Sequence, residues 1–297
     1  MSELLKFEPE LEFFGTMNGA SEEHTNAVFQ PDEETIVFVD LSLLNAYKAE
    51  RWIQTPERLK LKNFYLCLTH NHFDHASGIG KLAFDVKIHF PGHRLMIIVD
   101  ERIREETIRH LDSEGIGRIV HHEHGCDDKR VYDLMSFDMY GTAYTFYDED
   151  GTPLNKLSRP DWFIRTLPAP HSSRLAGTSG FAFNVNHKLV IYSGDTAQLE
   201  PFMSFLRVAL DGHSDGDPEI EFYLDVATRK SDRHLNFLEI AEELKILLEE
   251  YPTLKLILMH YDNREKLRTA AEEKLPEKLH DRVMLANRIY FGNEFFF

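Results

Sequence analysis

The sequence predicts an α/β fold in which helices pack outside two mixed β-sheets. Short apolar runs of strand length alternate with stretches whose apolar residues recur at helical spacing. A hairpin pattern in the middle of the chain, followed by a strand–helix–strand unit, favours mixed sheets over purely parallel ones. The 297 residues are enough for one large domain, and we expect a single domain over residues 1–297.

The first half of the chain contains three predicted strands and one predicted helix. Residues 35–40 (TIVFVD), 64–69 (FYLCLT) and 86–90 (VKIHF) are apolar or β-branched runs between polar, Gly or Pro residues. This is the usual pattern of strands. Residues 93–111 (HRLMIIVDERIREETIRHL) follow a Pro-Gly pair and have apolar positions at helical spacing, which predicts a helix.

The second half is predicted to form a hairpin and then a β-α-β unit. Residues 180–185 (GFAFNV) and 188–193 (KLVIYS) flank a turn at Asn186–His187. The strand 221–227 (EFYLDVA) precedes an amphipathic helix at 235–251, and the strand 254–260 (LKLILMH) follows it.

Residues 114–162 fit this alternation less well, since they combine a His-rich segment with an aromatic-rich one. They can be an insertion that shapes or covers a site, or additional strands. His121, His122 and His124 can line such a site or bind metal, but a role without function is the simpler interpretation. Of the two cysteines, Cys67 is expected in the core, and Cys126 lies beside this His cluster.

The charge of the chain argues against a long nucleic acid as substrate. Fifty acidic and 33 basic residues give a formal net charge of −17, whereas nucleic-acid affinity depends on neutralising phosphates with Lys and Arg. A small anion drawn to a local metal charge is compatible with this composition. The N-terminus lacks the basic start of a signal peptide, and no apolar run approaches the roughly 18–20 residues of a membrane span. We expect a cytoplasmic protein without membrane contact.

Residues 68–78 (LTHNHFDHASG) concentrate His70, His72, Asp74 and His75 directly after an apolar run. Imidazole and carboxylate are ligands that Zn²⁺ prefers, and the i, i+2 spacing of the first two histidines places them on one side of an extended chain. A solvated His-rich loop is the alternative in a chain with 16 histidines.

Three further donors follow apolar runs that read as strands: His171, Asp195 and His260. Loops at strand ends are where rigid scaffolds present functional groups, and the ends of strands at one sheet edge converge. The seven side chains can therefore form two adjoining metal sites.

This pattern resembles the metallo-β-lactamase superfamily. Its HxHxDH motif is matched at His70, His72, Asp74 and His75, and its later His, Asp and His are matched in order. The resemblance implies an αβ/βα four-layer sandwich, with two mixed sheets flanked by helices. It also implies two divalent cations, Zn²⁺ first and Mn²⁺ as the alternative. The implied ligands are His70, His72 and His171 for one ion and Asp74, His75 and His260 for the other, with Asp195 bridging.

Within the superfamily, the chain resembles the ribonuclease Z group of phosphodiesterases. The "SGDT" around Asp195 is typical of that group. By the same resemblance, Asp74 would orient the attacking water, His234 would protonate the leaving group and Arg264 would bind substrate. The alternatives are an N-cap or surface role for His234 and a solvated charge for Arg264. Where the group has a Glu, this chain has Val226, with Asp225 one place earlier, so the carboxylate partner of His234 stays open.

Only residues 172–194 separate His171 from Asp195, which leaves no room for the long RNA-binding arm of the transfer-RNA-processing enzymes. An arm-less core of this kind is similar to the cyclic-nucleotide phosphodiesterases that include the anti-Pycsar enzymes. We therefore expect hydrolysis of a small nucleotide, possibly cyclic, by a hydroxide formed at the two metal ions. The alternatives are a lactone or thioester hydrolase, a ribonuclease Z-type endonuclease, and a non-catalytic metal-binding regulator. Relatives often dimerise, so a homodimer is a further expectation.

Overall fold

The structure is a computed structural model that describes residues 10–17, 24–113, 132–137, 146–147, 153–154, 162–171, 177–185, 188–210 and 218–287. Its two six-stranded sheets face each other, and helices cover their outer faces. The predicted fold class is confirmed.

The first sheet has its strands in chain order. Its members are β1 (Glu12–Gly15), β2 (Asn26–Asp32), β3 (Thr35–Val39), β4 (Asn63–Cys67), β5 (Leu95–Asp100) and β6 (Tyr132–Phe137). Strand β2 is antiparallel to both of its neighbours, β1 and β3, and β3 to β6 are parallel. A separate two-stranded sheet contains β7 (Phe146–Tyr147) and β8 (Pro153–Leu154).

The second sheet repeats this arrangement. Its members are β9 (Trp162–Pro168), β10 (Ser179–Val185), β11 (Lys188–Tyr192), β12 (Glu219–Asp225), β13 (Leu254–Met259) and β14 (Val283–Leu285). Strands β9 to β11 are antiparallel, and β11 to β14 are parallel. Because parallel strands point the same way, their carboxyl ends lie at one edge of each sheet.

The helices form the two outer layers. Those following strands of the first sheet are α1 (Leu43–Ile53), α2 (Phe73–Ala76), α3 (Ile79–His89) and α4 (Glu101–Ser113); those of the second are α5 (Glu200–Leu210), α6 (Phe237–Glu250) and α7 (Arg264–Lys274). Asn236 and Asn263 cap α6 and α7 by accepting backbone N–H groups of the first turn. None of the helices in the described ranges has the length and apolar character needed to span a bilayer.

Side chains alternate between the two faces of a strand, so the buried residues form three layers. One layer lies between the sheets, and the other two lie between each sheet and its helices. Phe38 packs outward with Trp52 of α1, whereas its neighbour Val37 points into the space between the sheets. In that inner layer Phe29 and Phe183, one from each sheet, have ring centroids 4.8 Å apart. The predicted core position of Cys67 is confirmed there, since its side chain is buried.

Two predicted elements of the first half are wrong. Residues 86–90 were predicted as a strand, but 86–89 belong to α3 and Phe90 is its C-cap; Leu82, Val86 and Phe90 are buried at helical spacing. Residues 93–111, predicted as one helix, form β5 and then α4. The run LMIIV is buried in a parallel strand, and such a run is apolar throughout, so it also satisfies a helical pattern.

The remaining predicted strands and the long helix of the second half lie where the sequence placed them. The turn at Asn186–His187 lies outside the described residues. Residues 114–162 are described only in part. Within them, β6 pairs with β5 and extends the first sheet, as expected if the region supplies additional strands. The His121, His122 and His124 cluster and Cys126 lie outside the described residues.

Candidate metal centre

The predicted metal ligands lie together where loops that leave the two sheets meet. We call this group of seven side chains the metal centre: His70, His72, Asp74, His75, His171, Asp195 and His260. The first four come from the loop after β4 and from α2, and the others from the loops after β9, β11 and β13. Five of the seven are buried, and His72 and Asp74 are half-buried. The metal centre therefore opens to solvent on the side of these two residues.

The first group of donors consists of His70, His72, His171 and Asp195, with one ligand atom from each within 4.8 Å of the others. His70 Nε2 lies 2.8 Å from His72 Nδ1. Asp195 Oδ2 lies 3.8 Å from His70 Nε2 and 3.6 Å from His171 Nε2. This is the ligand set that the resemblance implied for one ion.

The second group consists of Asp74, His75 and His260, again within 4.8 Å of one another. Asp74 Oδ2 lies 3.4 Å from His75 Nε2 and 3.6 Å from His260 Nε2. Asp195 Oδ1 lies 3.4 Å from both of these nitrogens. Asp195 thus presents one oxygen to each group, which is the placement that a bridging ligand requires.

The buried carboxylate of Asp40 orients two histidines of the metal centre. It accepts hydrogen bonds from Nδ1 of His75 at 2.7 Å and from the backbone N–H and Oγ1 of Thr69 at 2.7 and 2.8 Å. Because the Thr69 hydroxyl donates to Asp40, it can accept from His70 Nδ1, which lies 2.9 Å away. Both imidazoles are then left with Nε2 facing the metal centre, as metal-binding histidines usually are.

Asp225, at the end of β12, orients two histidines that follow strands of the second sheet. Its Oδ2 accepts from the backbone N–H of Thr196 at 2.9 Å and lies 2.8 Å from His234 Nδ1. Its Oδ1 lies 3.2 Å from His260 Nδ1. His171 Nδ1 instead donates to the backbone carbonyl of Arg233 at 2.7 Å. Each of these rings is therefore held through Nδ1.

The backbone is strained at two of these positions. Asp40 and His260 both have φ of +56° and are the non-glycine residues with positive φ in the described part of the chain. This conformation is costly for residues with a side chain and persists where surrounding contacts enforce it. Here the contacts are the hydrogen bonds that aim both side chains at the metal centre.

The metal centre has the chemistry that a divalent cation needs. The Nε2 atoms of His75 and His260 are buried and make no hydrogen bond within the described residues, although carboxylate oxygens lie 3.4–3.6 Å away. A buried nitrogen without a partner is destabilising, and a cation would satisfy both. Imidazoles with carboxylates suit Zn²⁺ or Mn²⁺, so the residues fit the two ions that the resemblance implied.

The charges of the buried groups also suit metal binding. Burial lowers the pKa of His70 well below its usual range, and the neighbouring His75 lowers it further. Neutral imidazole is the form that coordinates a metal, and His70 is already in this form. Burial would also lower the pKa of His75 and His260, but the neighbouring carboxylates outweigh it and raise both, so these two rings would release a proton when a metal binds. Burial alone would raise the pKa of Asp195, but the positive charge of His260 and His75 outweighs it and holds this pKa well below the usual range. The bridging carboxylate is therefore ionised.

His234 lies beside the metal centre. Its ring centroid is 4.8 Å from that of His171 and 5.1 Å from that of His260. It is not an N-cap, because Asn236 caps α6. The carboxylate partner that the sequence left open is Asp225, and its charge raises the pKa of His234 against the lowering effect of burial. Its role as a general acid stays a prediction.

Arg264 is placed differently. It begins α7, and its guanidinium donates to the hydroxyl of Tyr261 at 3.3 Å and to Oδ1 of Asn287. Among the described residues it makes no hydrogen bond to a side chain of the metal centre. Its predicted role in binding substrate therefore stays a prediction.

Sequence reasoning assigned no role to Asp40, Thr69 or Thr196. A signal for Asp40 was present, since it ends the apolar run TIVFVD just as Asp195 follows KLVIYS. Backbone and hydroxyl contacts such as those of Thr69 leave no comparable pattern.

A scan against models of known protein families finds no match, and a search of curated proteins finds no similar sequence. Solved structures do match. The short form of human tRNase Z is 12% identical with a TM-score of 0.54, over 94% of this chain and 96% of that protein. An isothiocyanate hydrolase from Delia radicum gut bacteria is 15% identical with a TM-score of 0.52, over 92% and 95%. A long form RNase Z from yeast is 12% identical with a TM-score of 0.53, over 86% of this chain but 38% of that protein.

Likeness at such low identity concerns the fold alone, and function has to be argued from the site. The chain has the metallo-β-lactamase fold, with a buried cluster of histidines and aspartates suited to hold two metal ions.

Proposed function

We propose that the protein is a metal-dependent hydrolase that cleaves a small phosphodiester, with a cyclic nucleotide as the leading substrate class. One observation carries the proposal. Seven donors from four separate segments of the sequence form two adjoining groups that share Asp195, and His234 lies beside both groups.

One ion would be held by His70, His72 and His171, and the other by Asp74, His75 and His260, with Asp195 common to both. Two such ions supply Lewis acidity and make hydroxide available from water near neutral pH, because they lower its pKa from about 15.7 to near 7. Asp74, which is half-buried on the open side, would orient the attacking water.

His234 would act on the leaving group. Its Nδ1 is held by Asp225 at 2.8 Å, so Nε2 is the atom free to carry a proton to substrate. A ribose oxygen is a poor leaving group unless it is protonated, and a positioned acid typically contributes about 10²–10⁴ in rate. A thiolate needs no such help, so this residue favours an oxygen leaving group over a thioester.

The size and charge of the chain support a small substrate. A net charge of −17 repels a long polyanion, and the short segment 172–194 leaves no room for an RNA-binding arm. Cleavage of transfer-RNA precursors is therefore disfavoured, although two of the matching structures are RNase Z enzymes.

A second candidate is a hydrolase of an uncharged carbon electrophile, such as a lactone. The isothiocyanate hydrolase, which matches over 95% of its own chain, favours this candidate, since it shows that the fold accommodates a substrate without phosphate.

The test is a substrate panel with protein loaded with Zn²⁺ or Mn²⁺. It contains bis-p-nitrophenyl phosphate, 3′,5′-cyclic nucleotides, a lactone, an isothiocyanate and a transfer-RNA precursor. We expect cyclic nucleotides to be opened to linear monophosphates and His72→Ala to abolish turnover. Turnover of the lactone or isothiocyanate alone would replace the proposal with the second candidate. Hydrolysis of no substrate would leave a metal-binding protein without catalysis.

A further inference from the structure

Arg233 is fixed between two functional residues. Its backbone carbonyl accepts the hydrogen bond of His171 Nδ1 at 2.7 Å, and the next residue is His234. Its own N–H donates to Oγ of Ser231 at 3.1 Å. The backbone of Arg233 is thus tied to a ligand of the metal centre, while its side chain is exposed.

Arg233 lies close to the open side of the metal centre. The His171 ring that its carbonyl holds has its centroid 5.4 Å from that of the His72 ring. His72 is one of the two half-buried donors on the side open to solvent. An anion that approaches from solvent would therefore meet the field of this guanidinium.

The guanidinium of Arg233 has no ion pair and no hydrogen bond within the described residues. Other cations nearby are engaged: Arg229 with Asp262 at 3.4 Å and Lys230 with Glu239 at 3.3 Å. Arg102, next to the loop of His70, donates twice to the buried Asp100. The chain has 50 acidic residues, yet none of those in the described part pairs with Arg233. Its guanidinium N–H groups are therefore available to a ligand.

Guanidinium groups match the geometry of phosphate oxygens and bind them through two parallel hydrogen bonds. We propose that Arg233 binds a non-esterified oxygen of the anionic substrate and so sets the preference of the metal centre for a phosphodiester over an uncharged ester. The inference rests on the proposed function and adds a specificity-determining residue to it. Arg264, bound to Tyr261 and Asn287, does not need to supply this contact.

The test compares Arg233→Ala and Arg233→Lys with the matched control Arg229→Ala, which removes an arginine of the same segment that already has a partner. Binding of inorganic phosphate to the metal-loaded proteins is measured by calorimetry, and KM and kcat are measured for a cyclic nucleotide and a lactone. Metal content is determined for each variant, since a loss of metal would also weaken phosphate binding.

We expect Arg233→Ala to weaken phosphate binding about tenfold or more, as loss of a charge-assisted hydrogen bond predicts. The KM for the cyclic nucleotide should rise by a similar factor, with little change for the lactone. Arg233→Lys should recover part of the loss, and Arg229→Ala should bind phosphate as wild type does.

Unchanged phosphate binding in Arg233→Ala, or a loss explained by lost metal, would overturn the inference. The phosphate measurement needs no turnover, so it is separate from the proposed function. If the protein hydrolyses no phosphodiester but Arg233→Ala loses phosphate affinity, only the proposed function is refuted and the inference about Arg233 stands.

Discussion

Asp225 Oδ2 lies 2.8 Å from Nδ1 of His234, and the same carboxylate turns its other oxygen to His260. One buried side chain thus supports both a metal ligand and the candidate acid. No other carboxylate in the described part of the chain contacts both of these rings through Nδ1. The candidate metal ligand His260 and the candidate acid His234 are linked through this residue.

Asp225→Asn is expected to impair both properties. An amide has one acceptor oxygen and no charge, so it cannot accept from His234 and His260 together. Loss of such a partner typically lowers metal affinity about 10–100-fold, and kcat should fall further because His234 is no longer held. The measurement combines metal titration against a competing chelator with steady-state kinetics.

Two variants serve as its controls. Asp40→Asn removes the support of His75 but does not touch His234, so it should weaken metal binding without changing the step that needs an acid. His234→Ala should bind both metals and lose about 10²–10⁴ in kcat. An Asp225→Asn protein with wild-type metal affinity and turnover would contradict the linkage.

Removal of metal should destabilise the fold. Five of the seven donors of the metal centre are buried, and two of their nitrogens have no partner within the described residues. Cations that bind the folded state will therefore stabilise it; at a free concentration 100 times Kd the gain is about 2.7 kcal/mol. We expect Tm to fall after chelation and to recover with Zn²⁺ or Mn²⁺. His234→Ala should show the same gain and His260→Ala a smaller one. Equal Tm with and without metal would show that no such site forms.

Gly194 sets the position of Asp195. Its φ is +59°, and an added Cβ would lie 2.9 Å from the Ser179 carbonyl oxygen and 2.9 Å from Thr69 Cγ2. Gly194→Ala should therefore shift the bridging carboxylate and weaken binding of both metals, as measured by elemental analysis after gel filtration.

Gly92→Ala is the matched control. Gly92 has φ of +87° with nothing within 4 Å of the added Cβ, so only the backbone conformation is penalised, by about 1–2 kcal/mol. The free energy of unfolding should fall more in Gly194→Ala than in this control, and only Gly194→Ala should lose metal. Equal losses in the two variants would argue against the proposed clash.

Lys81 stabilises the packing of α1 against α3. Its Nζ lies 2.6 Å from Glu50 Oε2 and 2.7 Å from Asp85 Oδ2. Burial raises the pKa of Asp85, and the hydrogen bond from Lys81 lowers that of Glu50. Lys81→Met should cost about 1–3 kcal/mol at pH 7, since it leaves a buried carboxylate without its donor.

The cost of Lys81→Met should shrink in acid. A carboxyl whose pKa is lowered on folding stabilises the protein above its unfolded pKa, about 4.3 for glutamate, and this contribution is lost as the pH falls through the folded pKa. Asp85, with its raised pKa, is protonated earlier and then no longer needs a cation. Urea unfolding at pH 7 and pH 3.5 measures the difference. Lys60→Met, which breaks an exposed pair with Glu33, should change little at either pH.

The clustering of the candidate ligands was predictable from the sequence because they follow two local rules. His70, His72, Asp74 and His75 are close in the chain, and His171, Asp195 and His260 each follow an apolar run that ends at the same edge of a sheet. Alternating strands and helices in the second half were predictable for a similar reason, since their periodicities differ clearly.

The errors arose where local patterns are ambiguous. The run 95–99 is buried within a parallel sheet and reads equally as helix, and residues 86–90 are too short to show a period. The partner of His234 could not be predicted because Asp225 is offset by one position from the expected Glu, and in a strand that offset normally reverses the side-chain direction. Only the three-dimensional structure shows that Asp225 reaches both histidines.

The loops of one sheet alone do not supply all the ligands of either ion. Each ion would take ligands from loops of the first sheet and from loops of the second. The two ions would therefore cross-link the two sheets. A substitution far from any ligand that shifts one sheet against the other, for example at the contact of Phe29 with Phe183, should then lower the affinity for metal. Conversely, metal binding should favour the native alignment of the two sheets.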